Sequence, residues 1–329
     1  MENNNLTTTS LMKIPRQIFL YPYLVLPILI FIVLLDVFYL DYAILPYAGI
    51  DAILLPLFVF IFNLPHIIAS FFSFFDNDYI SYYKKHLFFY LPLVLIATTV
   101  LLFINPLLGF VLFLVADVWH GVKQKVGIAL ILGAKPNWIF RTWMFIPFLS
   151  TSLVFAYLMI DFMFQSQFPD ALLPFVSPTL FIGAILIFVS MLAMVWQSKP
   201  KVRLYIFCVS MFFLASYFFV LWGYVFFAIL AFRFVHDVSA FAFYITHDYN
   251  RFKMNKSNWL YNLFSQIPLS IVILTPVLGY LFAYLIRQGA DGLAIGYGII
   301  VLIGMSHFYL EGIMWKRNSP HRKHVSVND

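Results

Sequence analysis

The chain has 329 residues, of which 63% are hydrophobic and only 10% charged. That composition excludes a soluble domain, and apolar runs of about 18 residues or more recur from end to end, the signature of membrane-spanning helices. The formal net charge of +6 does not point to a nucleic-acid partner, because the basic residues lie in short loops between apolar runs, where they report topology.

Residues 1–17 are polar and then basic, and are predicted as a cytoplasmic N-terminal segment. The apolar run that follows is long and lacks a small-residue cleavage site, so it reads as a first spanning helix and not as a signal peptide. Ten spans are predicted, at 18–40, 52–75, 87–104, 107–132, 139–160, 172–196, 203–221, 223–248, 265–287 and 293–316. Prolines gather at the edges of these runs, where a missing amide donor does least harm. Pro65 and Pro276 fall inside and predict kinks. Asp76, Asp78 and Lys84 read as a solvated loop after the second span. Lys123 and Lys125 come early in an apolar run. They predict either a span that ends near Gly121 with an interfacial stretch after it, or lysines that snorkel or face a polar cavity. Residues 18–317 thus form one transmembrane helical domain, and 318–329 a short polar cytoplasmic tail expected to fray. Cys208 is the single cysteine, so neither an intrachain disulfide nor a Cys-x-x-Cys metal knuckle exists.

Charge tests this count. Eighteen of the 20 Lys and Arg residues fall on one side, Arg287 on the other, and Arg233 within a span. The opposite side carries Asp36, Asp41, Asp51, Asp161, Asp170 and Asp291. By the positive-inside rule the fold is an all-α polytopic membrane protein of about ten transmembrane helices with both termini cytoplasmic. The expected location is a bacterial inner membrane.

In this topology the even-numbered spans all run from outside to inside, and four of them carry a histidine at about the same depth: His66, His120, His236 and His307. An imidazole inside a bilayer is costly and is usually functional. Four that converge at one level predict a buried metal site. With no thiolate available, imidazoles and carboxylates suit non-heme iron, copper or zinc. Fe(2+) is favoured because redox-active iron with an open position activates dioxygen, and another divalent metal remains an alternative. Glu311 lies four residues after His307 and Asp117 three before His120, each on the histidine's own helix face. Both are read as partners that orient ring nitrogens, or as direct ligands. Asp237 and His247 are weaker candidates. His247, with Asp248 and Arg251 nearby, is placed at the cytoplasmic mouth. Arg233 is expected to pair with Asp237 or a backbone carbonyl. His86 is given no role, and His321 and His324 with Arg322 and Lys323 read as a lipid-headgroup contact. The chain has no Gly-rich phosphate loop and no His-box pattern of membrane desaturases.

The order of these motifs resembles the Brp/Blh-like bacterial beta-carotene 15,15'-dioxygenase family. Leu64-Pro65-His66 is similar to its first motif, Trp119-His120-Gly121 to its second and Phe234-Val235-His236 to its third. His307, followed by Glu311 and Lys316, is similar to its last. The sequence departs from the family in having Ser70 where an acid follows the first histidine, Lys123 and Gln124 where an acid follows the second, and Ala240 where another histidine follows the third. An extra span also precedes the first motif. The resemblance implies an all-helical membrane enzyme with iron held by histidines that cleaves an apolar polyene with dioxygen.

The expected function is therefore a membrane-embedded non-heme iron oxygenase. It would take dioxygen and a long apolar unsaturated substrate, such as a carotenoid, from the lipid bilayer. The alternative is a transporter that moves protons or metal ions along the same His, Asp and Glu residues. A heme or quinone protein with axial histidines is a third reading.

Overall fold

Inside a bilayer an apolar run of this length satisfies its backbone polar groups only as helix, and helix is what these runs form. The structure, a computed structural model, describes residues 11–49, 61, 63–164, 173–290 and 296–328. Helices α1 (Val25–Tyr39), α2 (Leu64–Phe71), α3 (Asn77–Lys85), α4 (Leu91–Ile104), α5 (Pro106–Ile131) and α6 (Trp138–Phe164) make the first half. Then come α7 (Leu173–Gln197), α8 (Pro200–Leu221), α9 (Val225–Met254), α10 (Trp259–Leu263), α11 (Ile271–Ala290) and α12 (Gly296–Met314). A π-turn, His86–Tyr90, joins α3 to α4, so that Asn77–Ile104 is one continuous helix. Among the described residues, eight helices are long and apolar enough to cross a membrane, and two shorter apolar ones, Leu64–Phe74 and Gly298–Met314, coincide with the predicted second and tenth spans. Residues 50–60, 62 and 291–295, which contain the outer parts of those two spans, lie outside the described residues.

Local chemistry sets the helix ends. Asn105 caps α5, its Oδ1 accepting from the Leu108 amide at 3.0 Å, with Pro106 in the first turn where no amide is needed. Gly133 (φ 103°) and Gly223 (φ 86°) stop α5 and α8. Past each glycine an amide returns to the helix, Ala134 to the Ala129 carbonyl at 2.9 Å and Tyr224 to that of Phe219 at 2.8 Å. These tight turns fold α6 back on α5 and α9 back on α8. Pro65 sits in the first turn of α2, directly after π-helical residues 61 and 63, and Pro276 lies inside α11.

Four helices close a ring. α2 packs against both α9 and α12, and α5 packs against the same two. α11 backs α2, and it approaches so closely at Gly279 that an added Cβ would lie 2.8 Å from the Pro65 carbonyl oxygen, one residue from His66.

α5 runs on to Ile131, in agreement with the predicted span 107–132, so the alternative of an end near Gly121 falls away, and Lys125 is buried. Three sequence expectations are corrected here. The loop of Asp76 is not freely solvated. Asp76 is buried, caps α3 through the Asp78 amide (2.9 Å), and receives Arg251 Nε at 2.9 Å and Ser257 Oγ at 2.5 Å. The tail does not fray, nor does His321 face lipid. Val327 bridges Ile14, and the Asn250 side chain binds both ends, giving Nδ2 to the Met12 and His324 carbonyls at 2.8 Å each and accepting the Met12 amide at 2.7 Å. His321 is fully buried. Its ring stacks on Tyr79 (centroids 4.1 Å) and His247 (4.7 Å), and its nitrogens meet Tyr83 OH at 3.1 Å and Ser73 Oγ at 2.9 Å. Polar composition misleads in this tail because aromatic partners remote in sequence cover the ring.

This docking carries a pH dependence. Burial, then the neighbouring His247 and His324, holds His321 well below its ordinary value, and burial brings His324 down to about 4. Both rings are neutral when docked and gain protons below about 6.5 when released, so the released state binds more protons as the pH falls. Docking is expected to be fully stable above pH 6.5 and to weaken progressively toward pH 5. Hydrogen exchange of residues 319–328 should rise over that interval relative to α8. Equal exchange at pH 7.5 and 5 would refute the linkage.

Candidate metal centre

Each wall of the helix ring contributes one imidazole. His66 comes from α2, His120 from α5, His236 from α9 and His307 from α12. All four are buried, and one nitrogen of each lies within 4.8 Å of the others. The rings meet edge to face around the circuit, with centroids 4.9 Å apart for His66–His236, 4.9 Å for His236–His120, 4.7 Å for His120–His307 and 5.0 Å for His307–His66. This is the order in which the helices themselves touch. The Nε2 atoms face inward, His66 to His236 at 3.2 Å and His120 to His307 at 3.2 Å.

The far sides of the rings explain which nitrogens face in. Ser70 Oγ donates to the Ile67 carbonyl at 2.6 Å, so its oxygen is left to accept, and His307 Nδ1 is 2.9 Å away. His307 therefore carries its proton on Nδ1 and turns a bare Nε2 lone pair to the centre. Asp237 Oδ1 lies 3.0 Å from His66 Nδ1, on the far side of that ring, but neither Asp237 oxygen completes a hydrogen bond. Asp237 lies outside the group of four imidazoles. Glu311 differs. Its Oε2 is 3.3 Å from His120 Nε2, the inward nitrogen, which places it beside the centre, while Tyr244 OH and Trp315 Nε1 (3.2 Å) donate to Oε1.

Asp117 was expected to orient His120 or to be a ligand, and Arg233 to pair with Asp237. Instead, Arg233 pairs with Asp117 across α5 and α9. Each lies three residues before a histidine of the centre, so both sit at one level, a turn farther out. His247 stands apart from the four. It is buried, with Nε2 at 2.8 Å from Tyr79 OH and Nδ1 at 2.8 Å from Asp248, and belongs to the tail-docking cluster. Ser70, Tyr244 and Trp315 were not foreseen. Ser70 is four residues after His66 and so on its face, a spacing that does signal it.

The donor set fits a single divalent cation. A metal about 2.0–2.2 Å from each nitrogen separates neighbouring ligand atoms by about 3.0–3.5 Å, and the two inward pairs are at 3.2 Å. Without a cation, one ring proton in each inward pair makes an N–H···N hydrogen bond, which a metal would displace. His236 Nδ1 is also buried with no hydrogen-bond partner, so no protein group fixes that ring from behind. Comparison with known protein families, with curated proteins and with solved structures found no match.

Proposed function

We propose that the chain is a membrane-embedded, histidine-ligated iron oxygenase acting on a long apolar unsaturated substrate drawn from the bilayer, of which oxidative cleavage of a carotenoid is one example. The single observation that carries this reading is the closed circuit of four inward Nε2 atoms within the helix ring. The resemblance of Leu64-Pro65-His66 and the three later motifs to the bacterial beta-carotene dioxygenases supports it. So does Ser70, which serves His307 from the turn where that family carries an acid. Ten spans and cytoplasmic termini accord with the charge bias and with the meeting of Ile14 and Val327 at Asn250. The resemblance to a bacterial family is what supports a bacterial inner membrane as its location.

In this reading His66, His120, His236 and His307 hold the ion, and iron(II), when bound, supplies the one-electron chemistry that dioxygen requires. The rest belongs to the chain. Ser70 holds the His307 ring in the binding tautomer, and the Asp237 carboxylate stands behind the His66 ring. Glu311, beside His120 and served by Tyr244, keeps a carboxylate oxygen at the centre that can take or return a proton. His120 and Glu311 are the most exposed of the group, each at 8% against 0–1% for His66, His236 and His307. The open edge therefore lies between α5 and α12. Phe308, 5.0 Å from the His120 ring, borders it and excludes water.

The test is metal analysis of the purified protein in detergent, with electron paramagnetic resonance of its nitric oxide adduct. About one iron per chain with an open coordination position is expected. Protein that retains no metal after gentle purification, yet passes protons or divalent ions in liposomes, would replace the oxygenase with the transporter.

A further inference from the structure

α4 is held differently from the other spanning helices. In the helix Asn77–Ile104 no residue of the most apolar stretch is buried, whereas the other seven spanning helices bury 33–56% of theirs. Yet α4 packs on both α5 and α12, and so lies over the seam where His120 and Glu311 are most exposed. Lipid chains are as apolar as a neighbouring helix, so contact of this kind holds a helix only weakly in a bilayer. Hydrogen bonds add a single tie. Thr98 Oγ1 turns to the Val94 carbonyl of its own helix at 2.8 Å. His86 Nδ1 meets Tyr309 OH of α12 at 2.7 Å, and among the described residues this is the hydrogen bond that joins residues 86–104 to α12. Elements that open are those with few buried contacts.

The two ends of α4 let it move. The His86–Tyr309 latch falls at the π-turn His86–Tyr90, a rare kind of turn that makes a joint with α3. α3 itself is anchored, with Tyr79 and Tyr83 buried. At the outer end Asn105 alone joins α4 to α5, and Leu102 packs so closely on Gly109 that a Cβ there would lie 2.8 Å from Leu102 Cδ2. The outer end is thus the pivot, and the cytoplasmic half is the part that can leave the seam. In the seam Phe308 has its ring 5.0 Å from that of His120, and Phe113 has its ring 5.7 Å from that of Phe308. Phe113 fits against α12 because Gly304 has no side chain; a Cβ there would lie 2.9 Å from Phe113 Cε2. Phe113 and His120 are seven residues apart and share one face of α5. Successive planes are inclined by only 31°, so His120, Phe308 and Phe113 form shallow steps against which a flat unsaturated chain can lie.

We propose that α4 is a lateral gate. With the His86–Tyr309 bond released, its cytoplasmic half swings off the α5–α12 seam, and a long, flat apolar chain enters from the bilayer beside Phe308 and comes to rest along Phe113 with its reacting part at the metal centre. The nature of that chain rests on the oxygenase reading. The latch, the pivot and the unburied helix between them do not.

The experiment uses the full-length protein in liposomes, with Cys208→Ser removing the native thiol. Nitroxide labels on cysteines at the exposed positions Leu93 of α4 and Leu186 of α7 report their separation by double electron–electron resonance. Labels at Leu186 and Leu281 of α11 form the control pair. The α4 pair is expected to show a second distance longer by about 5 Å, half an interhelical spacing. Tyr309→Phe is expected to raise its population about fivefold, the effect of losing one hydrogen bond. His86→Phe removes the same bond from the other side and serves if the first variant does not fold. The control pair should keep one distance throughout. A single α4 distance that neither variant changes overturns the proposal. A label on Phe308→Cys then reports where the seam opens. Tyr309→Phe is expected to raise its collisions with oxygen, which partitions into lipid, about threefold, and to leave those with a water-soluble nickel chelate unchanged. Oxygen collisions that stay the same, or a rise with nickel, overturn a gate to the bilayer. Neither measurement needs metal or turnover, so a shut α4 and an iron-free centre are separate results.

Discussion

Replacing His307 by alanine is expected to weaken metal binding by about 100-fold or more and to leave the helical fold in place. Structural sites with four ligands bind with about 10–16 kcal/mol, so one ligand in four is worth roughly 3 kcal/mol, about two orders of magnitude. The fold should tolerate the change because Ser70 Oγ, which loses the ring, keeps its bond to the Ile67 carbonyl. Ser70→Ala is the finer probe. It leaves all four imidazoles but removes the group that receives the His307 Nδ1 proton, and loss of such an orienting partner costs about 10–100-fold in affinity. His247→Ala is the control, since His247 belongs to the tail-docking cluster. Chelator competition on the three variants checks the order. If His307→Ala matched the unmutated protein while His247→Ala lost the metal, the ligand set would be misassigned.

The four histidines were legible because burial in a membrane is written into the sequence as apolar flanks, and charge bias gave the direction of each flank. Direction and depth together are nearly a position. The contacts that escaped depend on quantities a sequence does not carry. Arg233 has Asp237 four residues on, on its own helix face, and that pair was the natural expectation. The structure instead turns Asp237 to His66 and gives Arg233 to Asp117, an outcome set by the axial register of α9 against α5. Ser70 was visible as a departure from the family pattern, but a hydroxyl in a membrane helix more often bonds its own backbone. Here it does that and serves His307 as well, because one oxygen can donate and accept. His321 was misjudged for a different reason. Its setting of Arg322, Lys323 and His324 reads as a lipid-headgroup contact, yet the surfaces that bury it come from Tyr79 and His247, on helices far away in the chain.

The Arg233–Asp117 pair leads to the second large effect. Both side chains are buried, and Asp117 Oδ1 has no hydrogen-bond partner, so the guanidinium is what compensates this carboxylate. Arg233→Met would strand a charge, and removing one member of a buried pair costs about 3–5 kcal/mol. Removing both members leaves no Asp117 carboxylate to strand. Asp117→Leu combined with Arg233→Met is expected to recover most of the loss, giving a coupling energy of at least about 2 kcal/mol in a double-mutant cycle. Thermal unfolding in detergent supplies the four stabilities. The pair also ties α5 to α9 one turn beyond His120 and His236. The double variant should therefore regain stability while its metal affinity stays below that of the unmutated protein, because nothing then fixes the separation of those two ligands. Additive single effects would mean that the two charges are compensated by other groups, and the tie between the helices would have to be sought elsewhere. Full recovery of both stability and affinity would instead show that packing alone sets the spacing of His120 and His236, and that the ion pair serves only to neutralise itself.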